Sequence, residues 1–194
     1  MLLMSKHKVR KVPQFVAADD LKESTGFLLK LRLPWLLAGL LGGFGASFLI
    51  SRFEEQLAQN VSLAFFIPVI VYLSDAVGTQ TETIYVRNIT DKKSMFRIYL
   101  GKESLLGLIF GAIFGSLTFV FTYFWLGDPS LSLSIGLAMA ISVAIAPIVA
   151  LFTTRLFQIE HQDPAVGAGP FKTILQDIVS ILIYFGVSSI ILFA

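Results

Sequence analysis

Asp75 and Glu82 stand seven residues apart in the run VYLSDAVGTQTETIYVR, which continues the apolar segment LAFFIPVI. Seven residues make nearly two helical turns, so both acids share one face, with Gly78 and Thr79 between them. In PFKTILQDIVSILIYFGVSS, Thr173, Asp177, Ser180, Tyr184 and Ser188 follow at spacings of four, three, four and four, a second polar stripe. Carboxylates, hydroxyls and backbone carbonyls are oxygen ligands. With no Cys in the chain and no His inside an apolar segment, they suit a hard cation such as Mg2+ or Ca2+ rather than zinc or copper. Mg2+ keeps several of its waters and uses one or two carboxylates, so a sparse set fits it. Protonation is the other way to neutralise acids in an apolar medium.

The medium is apolar because the chain is. Of 194 residues 55% are hydrophobic and 14% charged, with 18 Phe, more apolar surface than a soluble domain of this length can bury. About 20 mostly apolar residues cross a bilayer as a helix. Five segments qualify: 34–53, 61–87, 104–126, 131–157 and 170–193. The ~10-residue alternation of a membrane barrel is absent, so the expected fold class is all-α, a five-span membrane domain over residues 33–194. A charge at the centre of a span costs on the order of 3 kcal/mol, and such acids usually line pathways or relays.

Basic residues set the expected orientation. Lys6, Lys8, Arg10, Lys11, Lys22, Lys30 and Arg32 precede the first span, Arg87, Lys92, Lys93, Arg97 and Lys102 follow the second, and Arg155 and Lys172 flank the loop before the fifth. The opposite side receives Arg52, so the N-terminus is expected in the cytoplasm and the C-terminus outside. A net charge of +2 spread over short loops fits this topology and gives no nucleic-acid surface. Residues 1–32 read as a basic cytoplasmic segment with an amphipathic helix at the surface before the chain turns in at Pro34. No signal peptide is visible, so the first span is expected to act as its own insertion signal.

Gly107, Gly111 and Gly115 in the third span, and Ser134, Ala138, Ser142, Ala146 and Ala150 in the fourth, are small residues at four-residue spacing, which let membrane helices approach closely. Pro68 and Pro147 are expected to kink their helices. In EHQDPAVGAGP, Asp163 before Pro164 reads as an N-cap with proline at the first helical position. Gly167, Gly169 and Pro170 are then expected to interrupt the chain, leaving a half-helix ahead of the true span. His161 beside Glu160 and Asp163 lacks a second His at metalloprotease spacing, and no nucleophile, base and orienting group are set together, so an enzyme is not expected. Measured from the cytoplasmic span ends at ~1.5 Å per residue, Glu82, Asp177 and Asp75 lie about 8, 10 and 18 Å deep. At those depths no basic residue is expected, Arg87 and Lys172 being interfacial.

The segments RLPWLL, FEEQL, FFIPVI, VGTQTETIYVR, GKESLLGLIFGAIFG and DPAVGAGPFKTILQDIVSILIYF resemble, in that order, the membrane domain of the MgtE magnesium transporters and their animal solute-carrier relatives. The likeness covers residues 30–194. It implies a homodimer in the cytoplasmic membrane, with a Mg2+ path at the subunit interface lined by the second and fifth spans. Asp177 then corresponds to the acid that binds hydrated Mg2+, Asp75 and Thr173 are further metal-side candidates, and Gly78, Thr79, Glu82, Ser180 and Tyr184 line the path. Where the family reads Gly-Gly-Asn-Ala-Gly-Thr-Gln, this chain has Ser74-Asp75-Ala76-Val77-Gly78-Thr79-Gln80, an acid where relatives are neutral. Bacterial members typically carry a long cytosolic regulatory part with paired CBS modules. Here about thirty residues stand in its place, so gating is expected from a separate cytosolic subunit or from the membrane domain itself. A proton- or sodium-coupled carrier, or a non-transporting membrane assembly partner, is the alternative reading of the same acids.

Overall fold

The computed structural model describes residues 23–88, 93–159 and 164–193. Among them are six helices and no strand: α1 (Thr25–Ser51), α2 (Glu54–Gln59), α3 (Ser62–Arg87), α4 (Lys93–Leu126), α5 (Pro129–Ile159) and α6 (Pro164–Leu192). Five of them, all but α2, are long and apolar enough to cross a membrane.

Three helices begin earlier than expected: α4 at Lys93 instead of 104, and α1 and α6, which both run through a proline. α1 begins at Thr25, capped by Ser24, whose hydroxyl accepts from the Phe27 N–H at 3.3 Å. Pro34 therefore lies inside one continuous helix and does not mark a turn into the bilayer. α6 likewise begins at Pro164 and runs through Gly167, Gly169 and Pro170 without a break. Proline is tolerated within membrane helices because neighbouring groups re-satisfy the freed carbonyls. Pro164 does open its helix; Asp163, its expected cap, lies outside the described residues, as do residues 1–22.

α5 is the centre of the bundle, packing against α4, α6 and α3, while α3 also meets α6 and α1 packs chiefly on α6. Leu131, Ile135, Ala138, Met139, Val143 and Ala146 of α5 are all buried. The α4–α5 hairpin turns at Gly127, which ends α4 with φ +71°, a conformation glycine adopts without strain. Asp128 then caps α5, its Oδ1 accepting from the Ser130 and Leu131 N–H groups at 2.9 and 3.0 Å.

This hairpin aligns the α4 glycines with one edge of α5. A Cβ on Gly107 would lie 2.6 Å from the Ala144 carbonyl oxygen, one on Gly115 would lie 2.8 Å from that of Gly136, and one on Gly111 would strike the Ala140 carbonyl. The partners are thus Gly136, Ala140 and Ala144. The Ser134, Ala138, Ser142, Ala146 and Ala150 face is turned elsewhere: Ser134 donates to Ser188 of α6 at 3.0 Å, and Ala146 and Ala150 pack on Gly78 of α3. At the same C-terminal end of α6, Gln56 of α2 donates to Ser189 at 2.7 Å and Phe53 stacks on Phe185 at 4.3 Å.

Because backbone rather than a movable side chain would meet a new Cβ, Gly111→Ala is expected to cost about 1–3 kcal/mol. Gly101→Ala, in the same helix with nothing within 4 Å, is expected to be neutral or stabilising by up to about 1 kcal/mol. Thermal unfolding in detergent measures both.

Candidate functional site

Lys172 is the residue the sequence reading misplaced. Its side chain is 1% exposed, and its ammonium lies 2.7 Å from Asp75 Oδ1. It also donates to Thr79 Oγ1 at 2.6 Å and to the Asp75 carbonyl oxygen at 3.3 Å. Lysine has three N–H donors, and three acceptor oxygens meet them. The expectation of an interfacial Lys172 and of acids without a basic neighbour is therefore corrected. The cause is the early start of α6: counted from Pro164, Lys172 lies about 12 Å along the helix and Asp177 about 20 Å.

One turn of α3 builds the ammonium's surroundings. Asp75 and Thr79 are four residues apart, so they lie one above the other on the helix surface. Thr79 Oγ1 donates to Asp75 Oδ2 at 3.5 Å while accepting from Lys172. Thr173, the next residue of α6, donates to Asp75 Oδ1 at 3.0 Å. Gly78 is buried inside the protomer, facing the Lys172 stem and the α5 backbone, with Lys172 Cδ 3.6 Å from where its Cβ would be.

Asp177 stands apart from that network. It borders a groove of about 440 Å3 between α1 and α6, with Leu36, Gly39, Gly43, Pro170, Thr173 and Ile174. Its Oδ1 is buried and has no hydrogen-bond partner among the described residues. Lys172 and Asp75 lie within electrostatic reach of it, as they do of Glu82, which is buried on α3. Among the described residues no group of three or more acids or histidines is close enough to form a metal cage.

The α6 stripe divides in two. Thr173 turns to Asp75 and Asp177 borders the groove, whereas Ser180, Tyr184 and Ser188 are buried within the protomer. Tyr184 donates to the Leu63 carbonyl at 2.8 Å, and Ser180 accepts from Gln176 at 3.1 Å. These bonds tie α6 internally and to α3, so within the protomer the C-terminal half of the stripe is engaged in packing. Sequence reasoning also missed Glu103 of α4, which accepts from Thr81 at 2.8 Å; its place near the start of the third span gave no sign of it.

Buried acids, an ion pair across two helices and a groove between two apolar spans define a multi-pass membrane protein with a charged interior. The family profile described as "Divalent cation transporter", MgtE, matches residues 67–187, and the chain belongs to this family. It is 32% identical over 177 residues to "Magnesium transporter MgtE" of Enterococcus faecalis, covering 90% of this chain and 39% of that protein. To the proteins of the same name from Bacillus subtilis and Thermus thermophilus it is 30% and 29% identical, covering 81% and 83% of this chain and 36% of each relative. The chain thus spans little more than a third of the curated relatives it matches. Family and apolar helices together make it a multi-pass protein of the cytoplasmic membrane.

Breaking the Lys172–Asp75 pair has an asymmetric expected cost. Asp75→Asn strands an ammonium that is 1% exposed, whereas Lys172→Met strands a carboxylate that is 29% exposed. Asp75→Asn is therefore expected to cost roughly 3 kcal/mol, Lys172→Met less, and the double variant less than Asp75→Asn alone, since removing both charges leaves none unpaired. Unfolding midpoints of the three variants in detergent measure the order.

Proposed function

We propose that this chain carries a divalent cation, Mg2+ foremost, across the cytoplasmic membrane, with Asp177 as the principal ligand. The observation that carries the proposal is the buried Asp177 Oδ1 at a groove, without a hydrogen-bond partner among the described residues, in a chain whose relatives are named magnesium transporters. An acid in a bilayer needs a counter-charge, and Lys172 is already engaged by Asp75. A hydrated Mg2+ meets the need with one or two carboxylates. Thr173 borders the same groove while its hydroxyl holds Asp75, and Glu82 adds negative charge at the cytoplasmic side. Asp75 enters as the anchor of Lys172.

The working unit in this proposal is a homodimer, its path lying between subunits along α3 and α6, with the N-terminus cytoplasmic. The unpacked surface of α1, with Leu36, Leu40 and Phe44 exposed, supports a further apolar surface around the protomer, lipid or a second copy. Regulation by a separate cytosolic subunit belongs to the same proposal.

Asp177→Asn is expected to fold and dimerise normally but to lose at least about 90% of Mg2+ flux into proteoliposomes, since even a group that only supports a metal ligand is typically worth about tenfold. Wild-type flux from this variant removes the proposal. Parallel runs with Mn2+, Co2+ and Ca2+, and with imposed proton or sodium gradients, separate Mg2+ permeation from a coupled carrier.

A further inference from the structure

The surroundings of the Lys172 ammonium have the form of a cation site. A carboxylate oxygen, a backbone carbonyl oxygen and a hydroxyl oxygen converge on Nζ at 2.7, 3.3 and 2.6 Å. Carboxylate, carbonyl and hydroxyl oxygens are the donors a hard cation takes. They come from one turn of α3, so the donor set is fixed by the helix and does not need Lys172 to assemble it. Thr173 further holds the carboxylate in place from α6. The stem of Lys172 reaches this point past Gly78 and the small residues Ala146 and Ala150.

We propose that Lys172 is a tethered cation. Its ammonium fills a cation-binding cage formed by Asp75 and Thr79, keeps mobile ions out of that cage, and leaves Asp177 as the free acid. The last clause rests on the transport proposal above; the cage itself does not. Lys172 is in this sense a specificity-determining residue. It contributes a fixed positive charge within electrostatic reach of both Asp177 and Glu82, and with it the three acids sum to a formal charge of −2, which one divalent ion balances. Removing the tether converts the cage into a second, untethered site. A chain without it would hold more cation than the native one and would respond to monovalent ions that the native one ignores.

The test compares melting temperatures of the purified wild-type chain, K172M and D75N/K172M, each titrated with ethylammonium, Na+ and Mg2+, and each repeated in a D177N background. Methionine keeps the unbranched stem against Gly78 while deleting the charge. K172M is expected to gain roughly 5 °C with ethylammonium or Na+ at a hundredfold excess over Kd, the rise that binding to the folded state gives in a chain of this size. Wild type and D75N/K172M are expected to gain nothing from these monovalent ions, and D177N/K172M is expected to keep the gain. A K172M that gains nothing from ethylammonium or Na+ overturns the tethered-cation assignment, whatever its response to Mg2+, as does a monovalent gain that survives in D75N/K172M. If K172M does not fold alone, the proposal expects ethylammonium during purification, or the added D75N change, to restore it. Failure of both assigns Lys172 to packing and also overturns it. A Mg2+ response missing from D177N alone bears on Asp177 and not on the cage, so the two proposals fail separately.

Discussion

A lysine held inside a membrane bundle needs three acceptors and a counter-charge, and the rest of this structure is arranged around supplying them. Asp75 and Thr79 provide all three from a single turn of α3. That requirement fixes the register of α6 on α3, because the ammonium reaches its acceptors at one helical level. With the register fixed, Thr173 meets the same carboxylate and Asp177, five residues beyond Lys172, comes to the groove beside α1. Gly78 of α3 faces Ala146 and Ala150 of α5 and leaves the Lys172 stem room beside it.

The bundle is unevenly held. The α4–α5 side is clamped by backbone contacts at Gly107, Gly111 and Gly115, a means of association that works where apolar helices gain nothing from leaving lipid. The α1 side is thinner: α1 buries none of its residues and touches mainly α6. Its close approach to α6 is at Gly42, where the Ile174 side chain fills the space a Cβ would need. Asp177 lies on this thinner side.

The number of spans and the all-α class were legible because apolar composition dominates each long segment; the short α2, six residues between two spans, was not. The role of Asp177 as a candidate was legible from polar spacing on α6. Lys172 was not, because Gly167, Gly169 and Pro170 read as a break, which put the lysine two residues inside the last span instead of eight inside a continuous helix. A long stem near a helix end also suggests snorkelling to the headgroups, and only the three-dimensional meeting of α3 and α6 removes that option. Tyr184 and Ser188 show what polar spacing leaves open: it does not tell a hydroxyl facing an ion from one bonded to the Leu63 carbonyl or to Ser134. The acid at position 75 was the usable signal, since an added charge in an apolar span implies an added partner.

The central claim is that Asp177 binds the transported ion while Lys172 keeps Asp75 engaged. Calorimetric titration of Mg2+ into the purified chain tests it most directly. Saturable binding in the wild-type chain that is absent from Asp177→Asn is the predicted result, and undiminished binding in Asp177→Asn would contradict the account.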